Sequence, residues 1–134
     1  MIDHHEALIY TMVLISAADQ NMTDAELHTI GELVNHLPVF RDFDRGKLVR
    51  VAQDCAAVLD DEDGLDKAIE LIESNLPAKL RETAYALACD VAAAGGQVSQ
   101  EELRLLEMFR DRLEVDGLAA AAIERGVRAR YMML

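Results

Sequence analysis

Residues 15–37 and 91–113 of the chain can be laid on one another at an offset of 76 residues. Ala17-Ala18 then meets Ala93-Ala94, Met22 meets Val98, Thr23 meets Ser99, and Glu26-Leu27 meets Glu102-Leu103. Further along, Ile30, Leu33 and Leu37 meet Leu106, Phe109 and Leu113. The matches gather on one kind of junction, an apolar helical run that breaks and restarts. A chain that carries this unit twice is expected to fold as two related helical pairs packed on a common core.

Periodicity elsewhere agrees with helices and shows no convincing strand alternation. A first helix is expected over about residues 3–18, and a second through Leu27, Ile30, Leu33, Val34 and Leu37, stopped by Pro38. The stretch "PVFRDFD" reads as a connecting loop, after which Asp44 caps a third helix with Leu48, Val51, Ala52, Cys55 and Leu59 inward. The acidic turn "DDEDG" leads to a fourth, built on Leu65, Ala68, Ile69 and Ile72. Pro77 suits the first turn of a fifth, carrying Leu80, Ala84, Leu87, Ala88 and Val91, which "AAAGGQVS" interrupts. A sixth buries Leu103, Leu106, Phe109 and Leu113, and a seventh starts near Asp116 and buries Leu118, Ala122, Ile123 and Val127. The expectation is an all-α, single compact domain over residues 1–134, with about seven helices in two pseudo-repeated halves.

Twenty-five acidic residues against 13 Lys and Arg give a net charge of −12. A field of that sign repels phosphate backbones and anionic lipid, which argues against nucleic-acid and membrane partners and favours cations or basic protein surfaces. Arg125, Arg128 and Arg130 complement the negative end of the last helix. Cys55 and Cys89 lie in apolar helical patterns without CxxC spacing, as reduced core thiols do. The run at 7–18 is too short to span a bilayer, and Asp3 and Glu6 are the wrong flank for a signal peptide. A soluble, cytoplasmic protein is expected.

The first junction, "SAADQNMTDAEL", alternates Asp19, Asn21 and Thr23 as a calcium loop does. An EF-hand loop needs Gly at its sixth position and Glu at its twelfth, and this chain has Asp24 and Ile30 there. Thr23 with Glu26, and Ser99 with Glu102, instead fit a capping box, with Met22 and Val98 placed as hydrophobic staples. Asp19, Asn21 and Glu26 remain hard oxygen donors of the kind that suits Ca²⁺ or Mg²⁺. Asp90, beside inward-facing Leu87 and Val91, is costly to bury alone. It has three outlets: pairing with an Arg, accepting local amides, or reaching an ion together with Glu102.

With these residues in view, "AADQNMTDAEL" and "DVAAAGGQVSQEEL" resemble the paired junctions of TerB-like tellurite-resistance proteins, of the form A-x-A-D-G-x-hydrophobic-Ser/Thr-x-x-Glu. The resemblance spans nearly the whole chain. It implies a duplicated all-helical domain associated with resistance to tellurite and other stresses, with no established reaction and with divalent-cation binding proposed at its acidic junctions. Asp19, Glu26 and Glu102 match the family's acids. Gln20 stands where the first copy would have Gly, and Gly95 where the second would have Asp, so the second junction lacks its main carboxylate.

Other constellations are weaker. His28, Glu32 and His36 share one helix face, but a rise of ~1.5 Å per residue keeps the two histidines ~12 Å apart, so they cannot share an ion. His4-His5 could chelate a metal or belong to a frayed terminus, and the acids at 60–63 read as a solvated connection. No phosphate loop, nucleophile elbow or zincin pattern occurs. The expected function is a TerB-like, non-enzymatic binding module acting through a protein partner, modulated by a divalent cation at Asp19, Asn21, Glu26, Asp90 and Glu102. A homo-oligomer is compatible with this. The competing readings are a Ca²⁺/Mg²⁺ sensor or buffer and, behind it, a hydrolase using a metal-bound water.

Overall fold

The computed structural model describes residues 2–20 and 22–134. Among these it contains seven α-helices: α1 (His4–Ala17), α2 (Asp24–His36), α3 (Leu48–Leu59), α4 (Gly64–Asn75), α5 (Arg81–Ala94), α6 (Gln100–Arg112) and α7 (Gly117–Arg130). Three short 3-10 turns lie in two of the joins, Pro38–Phe40 and Arg45–Lys47 between α2 and α3, and Ala78–Leu80 between α4 and α5. The expected loop after Pro38 is thus partly coiled, and it seats the Phe40 ring in the core. Asp44 caps the 3-10 turn by accepting from the Gly46 amide, and α3 begins only at Leu48.

α1 and α5 pack against each other at the centre. α1 is buried on every face from Ala7 to Ser16, as an apolar helix without a polar stripe must be. α5 buries Ala84, Tyr85 and the run from Leu87 to Ala92. α3 and α4 cover α1, α7 covers α5, and α2 lies on α5. α2 and α6 are outer helices of equal length, amphipathic, starting at the two copies of the repeated junction.

The repeat is visible in backbone as well as sequence. Gln20 and Gly96, which correspond at the repeat offset, both take the left-handed conformation, at φ 59° and 94°. Glycine adopts it freely, whereas Gln20 meets the Cβ penalty. At the α3–α4 corner, Asp63 is also left-handed, and Gly64 lies so close to the end of α3 that an added Cβ would stand 2.5 Å from the Val58 and Leu59 carbonyl oxygens.

Several side chains predicted to face inward do not. Leu27, Leu65, Leu103, Leu118 and Ala122 are exposed, Leu118 at 84%, because no further element covers those faces. His5, expected at a frayed or metal-binding terminus, is buried instead. Its Nε2–H donates to the Val39 carbonyl at 2.8 Å, and its ring packs on Phe40 and Phe43. An Asp3–Glu6 capping box fixes that helix start.

Two substitutions test these backbone assignments. Gly64→Ala should destabilise the fold by about 1–3 kcal/mol, through collision with carbonyls that cannot rotate away. Gln20→Gly should stabilise it by up to about 1 kcal/mol, by relieving the left-handed penalty. Urea unfolding of the two variants beside the parent protein checks both.

Candidate functional site

The two junctions bring their glutamates together inside the molecule. At the first, Thr23 Oγ1 accepts from the Glu26 amide at 3.1 Å, and the Thr23 amide donates to Glu26 Oε1 at 3.0 Å. At the second, Ser99 Oγ accepts from the Glu102 amide at 3.1 Å, and the Ser99 amide donates to Glu102 Oε1 at 2.9 Å. Each Glu is therefore held by the start of its own helix, with its carboxyl turned back towards the core. Glu26 is 3% exposed and Glu102 2%.

Past the caps the carboxyls meet. The Ser16 hydroxyl, at the end of α1, donates to Glu26 Oε1 at 3.5 Å. A Cβ on Gly95 would stand 3.0 Å from Glu26 Oε2, so the glutamate of the first corner rests against the glycine of the second. Glu26 and Glu102 lie within hydrogen-bonding reach, and burial, followed by the interaction with Glu26, pushes the Glu102 carboxyl up to about 7. Glu102 Oε2 is buried and finds no donor among the described residues when both groups are ionised. Once protonated, the raised Glu102 carboxyl is itself a donor.

Of the five expected metal ligands, the structure brings Glu26 and Glu102 together and engages Asp90 elsewhere. Asp90 on α5 accepts from Arg130 Nη2 at 2.6 Å, which closes the end of α7 onto the central helix. Asp19 stands half-buried in the turn after α1, and Asn21 lies outside the described residues. Among the described residues no group of three or more His, Cys, Asp and Glu side chains converges to hold a metal ion. Glu26 and Glu102 each spend one oxygen on a cap, so the pair alone supplies fewer oxygens than the six to eight that Ca²⁺ takes.

The remaining candidates are structural. Glu32 bridges His28 and His36 on the open face of α2, at 3.9 and 3.2 Å. Cys55 and Cys89 are free and buried, and burial pushes both thiols up to about 12, far from the thiolate that reactivity requires. Tyr85 donates to Glu124 Oε2 at 2.5 Å, a tie between α5 and α7 that no local pattern announces.

Two open clefts flank this core. One, of about 480 Å³, lies between the end of α1, the α3–α4 turn and α6. The other, of about 470 Å³, lies between α5, α6 and α7, with Met132 and Met133 at its lip. Both have largely apolar walls and were invisible to sequence reasoning, because each draws on three separated segments.

The sequence model of the family described as tellurite resistance protein TerB matches residues 5–125. No curated protein and no solved structure matches the chain.

The carboxyl pair has a pH signature. A Glu102 carboxyl raised in the folded state binds its proton more tightly than in the unfolded chain, so its contribution to stability is complete below about pH 4.5 and is lost as pH rises through about 7. Glu102→Gln keeps an oxygen for the Ser99 amide and removes the titration. Unfolding free energy of the variant should therefore be flatter than the parent's between about pH 5 and 7. Parallel denaturation curves at several pH values in that window check it, and equal slopes would rule out a raised Glu102 carboxyl.

Proposed function

The chain belongs to the tellurite resistance protein TerB family, and from that premise we propose that it is a non-enzymatic binding module of a tellurite- or stress-response system, acting through a protein partner. The observation that carries this reading is the division of labour between core and surface. The acids of the repeated corners are turned inward and spent on fixing helices. Meanwhile two apolar clefts stay open on a surface whose net charge is strongly negative. Concave apolar surface on a small acidic domain suits recognition of another molecule.

Membership of the family does not by itself give an activity, since function resides in sites and not in folds. A helical scaffold with buried thiols and corner glutamates engaged in caps favours binding over turnover. The competing sensor reading needs an ion at the first corner. Titration with Mg²⁺ or Ca²⁺ to millimolar levels should leave the amide resonances of residues 19–26 in place, and saturable shifts there would restore that reading.

The partner itself is tested in the native host. Affinity capture followed by reconstitution from purified components should give a stoichiometric complex in which hydrogen exchange slows at one of the clefts. Failure to recover any partner, from untreated and tellurite-exposed cells alike, would sink the proposal.

A further inference from the structure

The two clefts differ in the charge around them. The groove between α5, α6 and α7 has Glu124 and Arg128 on its rim, which balance. The cleft between α1, the α3–α4 turn and α6 does not balance. Its walls are Leu14, Ala17, Leu59, Leu65, Leu105 and Met108, and Leu65 at one edge is 41% exposed. Asp60 and Glu101 stand at its lip with Arg104, and Asp61, Glu62 and Asp63 follow Asp60 in the exposed turn.

Little in the chain neutralises these acids. Among the described residues, Asp60, Glu62, Asp63 and Glu101 have no basic side chain within ion-pair distance. Lys67 reaches only Asp61, at 3.9 Å, with both groups more than half exposed. Asp63, although it precedes α4, makes no capping bond with its side chain. Gly64, which ends the turn, lies close against the α3 carbonyls. An apolar trough is thus framed on one edge by Asp60, the first acid of that turn, and on the other by Glu101 in the acidic start of α6.

We propose that this cleft is the docking site for a basic, apolar-anchored peptide segment of a protein partner. The inference rests on reading the chain as a binding module and names the chemistry of what it binds. Apolar side chains of the segment enter between Leu59, Leu65 and Met108, while flanking Lys or Arg residues face Asp60 and Glu101. Charge of this kind steers the encounter and excludes acidic competitors, and burial of the apolar anchors holds the complex. Arg104 is the single cation at the lip and opposes such a segment.

A short synthetic Leu/Lys peptide serves as the probe, with two controls: one with every Lys replaced by Glu, one with every Leu replaced by Ser. Titration into the isotopically labelled full chain should give saturable shifts for the Leu/Lys peptide alone, centred on Leu14, Leu59, Leu65, Leu105 and Met108. Leu65→Ser should weaken binding about fivefold. Asp60→Asn combined with Glu101→Gln should weaken it and flatten its dependence on salt. Arg104→Gln should tighten it about twofold. Circular dichroism of each variant confirms that the fold is kept.

Equal binding of the Glu peptide, or shifts centred on the α5–α6–α7 groove, would overturn the assignment. So would silence from all three peptides. If a host partner is still captured and protects another surface, this cleft is excluded while the binding-module reading stands.

Discussion

The meeting of Glu26 and Glu102 inside the protein is the constraint from which the architecture follows. Each glutamate is required by its own helix start, where it completes a capping box. The two starts are copies, so packing the halves together brings two carboxyls into one buried place. Two negative charges there would be strongly unfavourable. The Glu102 carboxyl is raised by its burial, and the Ser16 hydroxyl and the capping amides offset part of that cost. The absence of a side chain at Gly95 gives Glu26 the room to lie there. Where the family pattern has an acid at this position, a third carboxylate beside the pair would be hard to accommodate in this chain.

Around that point the rest of the structure is support. α1 and α5 form the apolar centre; Arg130 with Asp90 and Tyr85 with Glu124 tie α7 to it, and Arg112 with Glu73 ties α6 to α4. These contacts use acids that would otherwise add to the surface field. The acids that remain outside are concentrated where chain turns cannot be covered, above all at residues 60–63. Binding surface and stabilising machinery are thereby separated. The corners hold the fold, and the clefts between helices are left to meet other molecules.

Much of this was legible from residues in sequence. Thr23-x-x-Glu26 and Ser99-x-x-Glu102 named their own helix starts, and the repeat offset named their kinship. Apolar spacing misplaced Leu27, Leu65, Leu103, Leu118 and Ala122, because a helix pattern shows which side chains share a face and not where the neighbouring helix ends. The 3-10 turn after Pro38 was read as a loop, and His5 as a terminal residue, although that turn brings Phe40 and Phe43 back onto it. Asp90 was recognised as an acid in need of a partner. Its partner, 40 residues away on α7, could be named only as one of several arginines.

The sequence alone determined the helices, their caps, the doubled corner and the acidic field. Caps and helical periodicity act between residues three or four positions apart, and net charge needs no geometry at all. The tertiary structure decided that the two corner glutamates face each other, that Asp90 is closed by Arg130, and that apolar clefts open beside an acidic turn. Those outcomes depend on surfaces contributed by segments far apart in the chain, which come within reach only when the two halves are packed together.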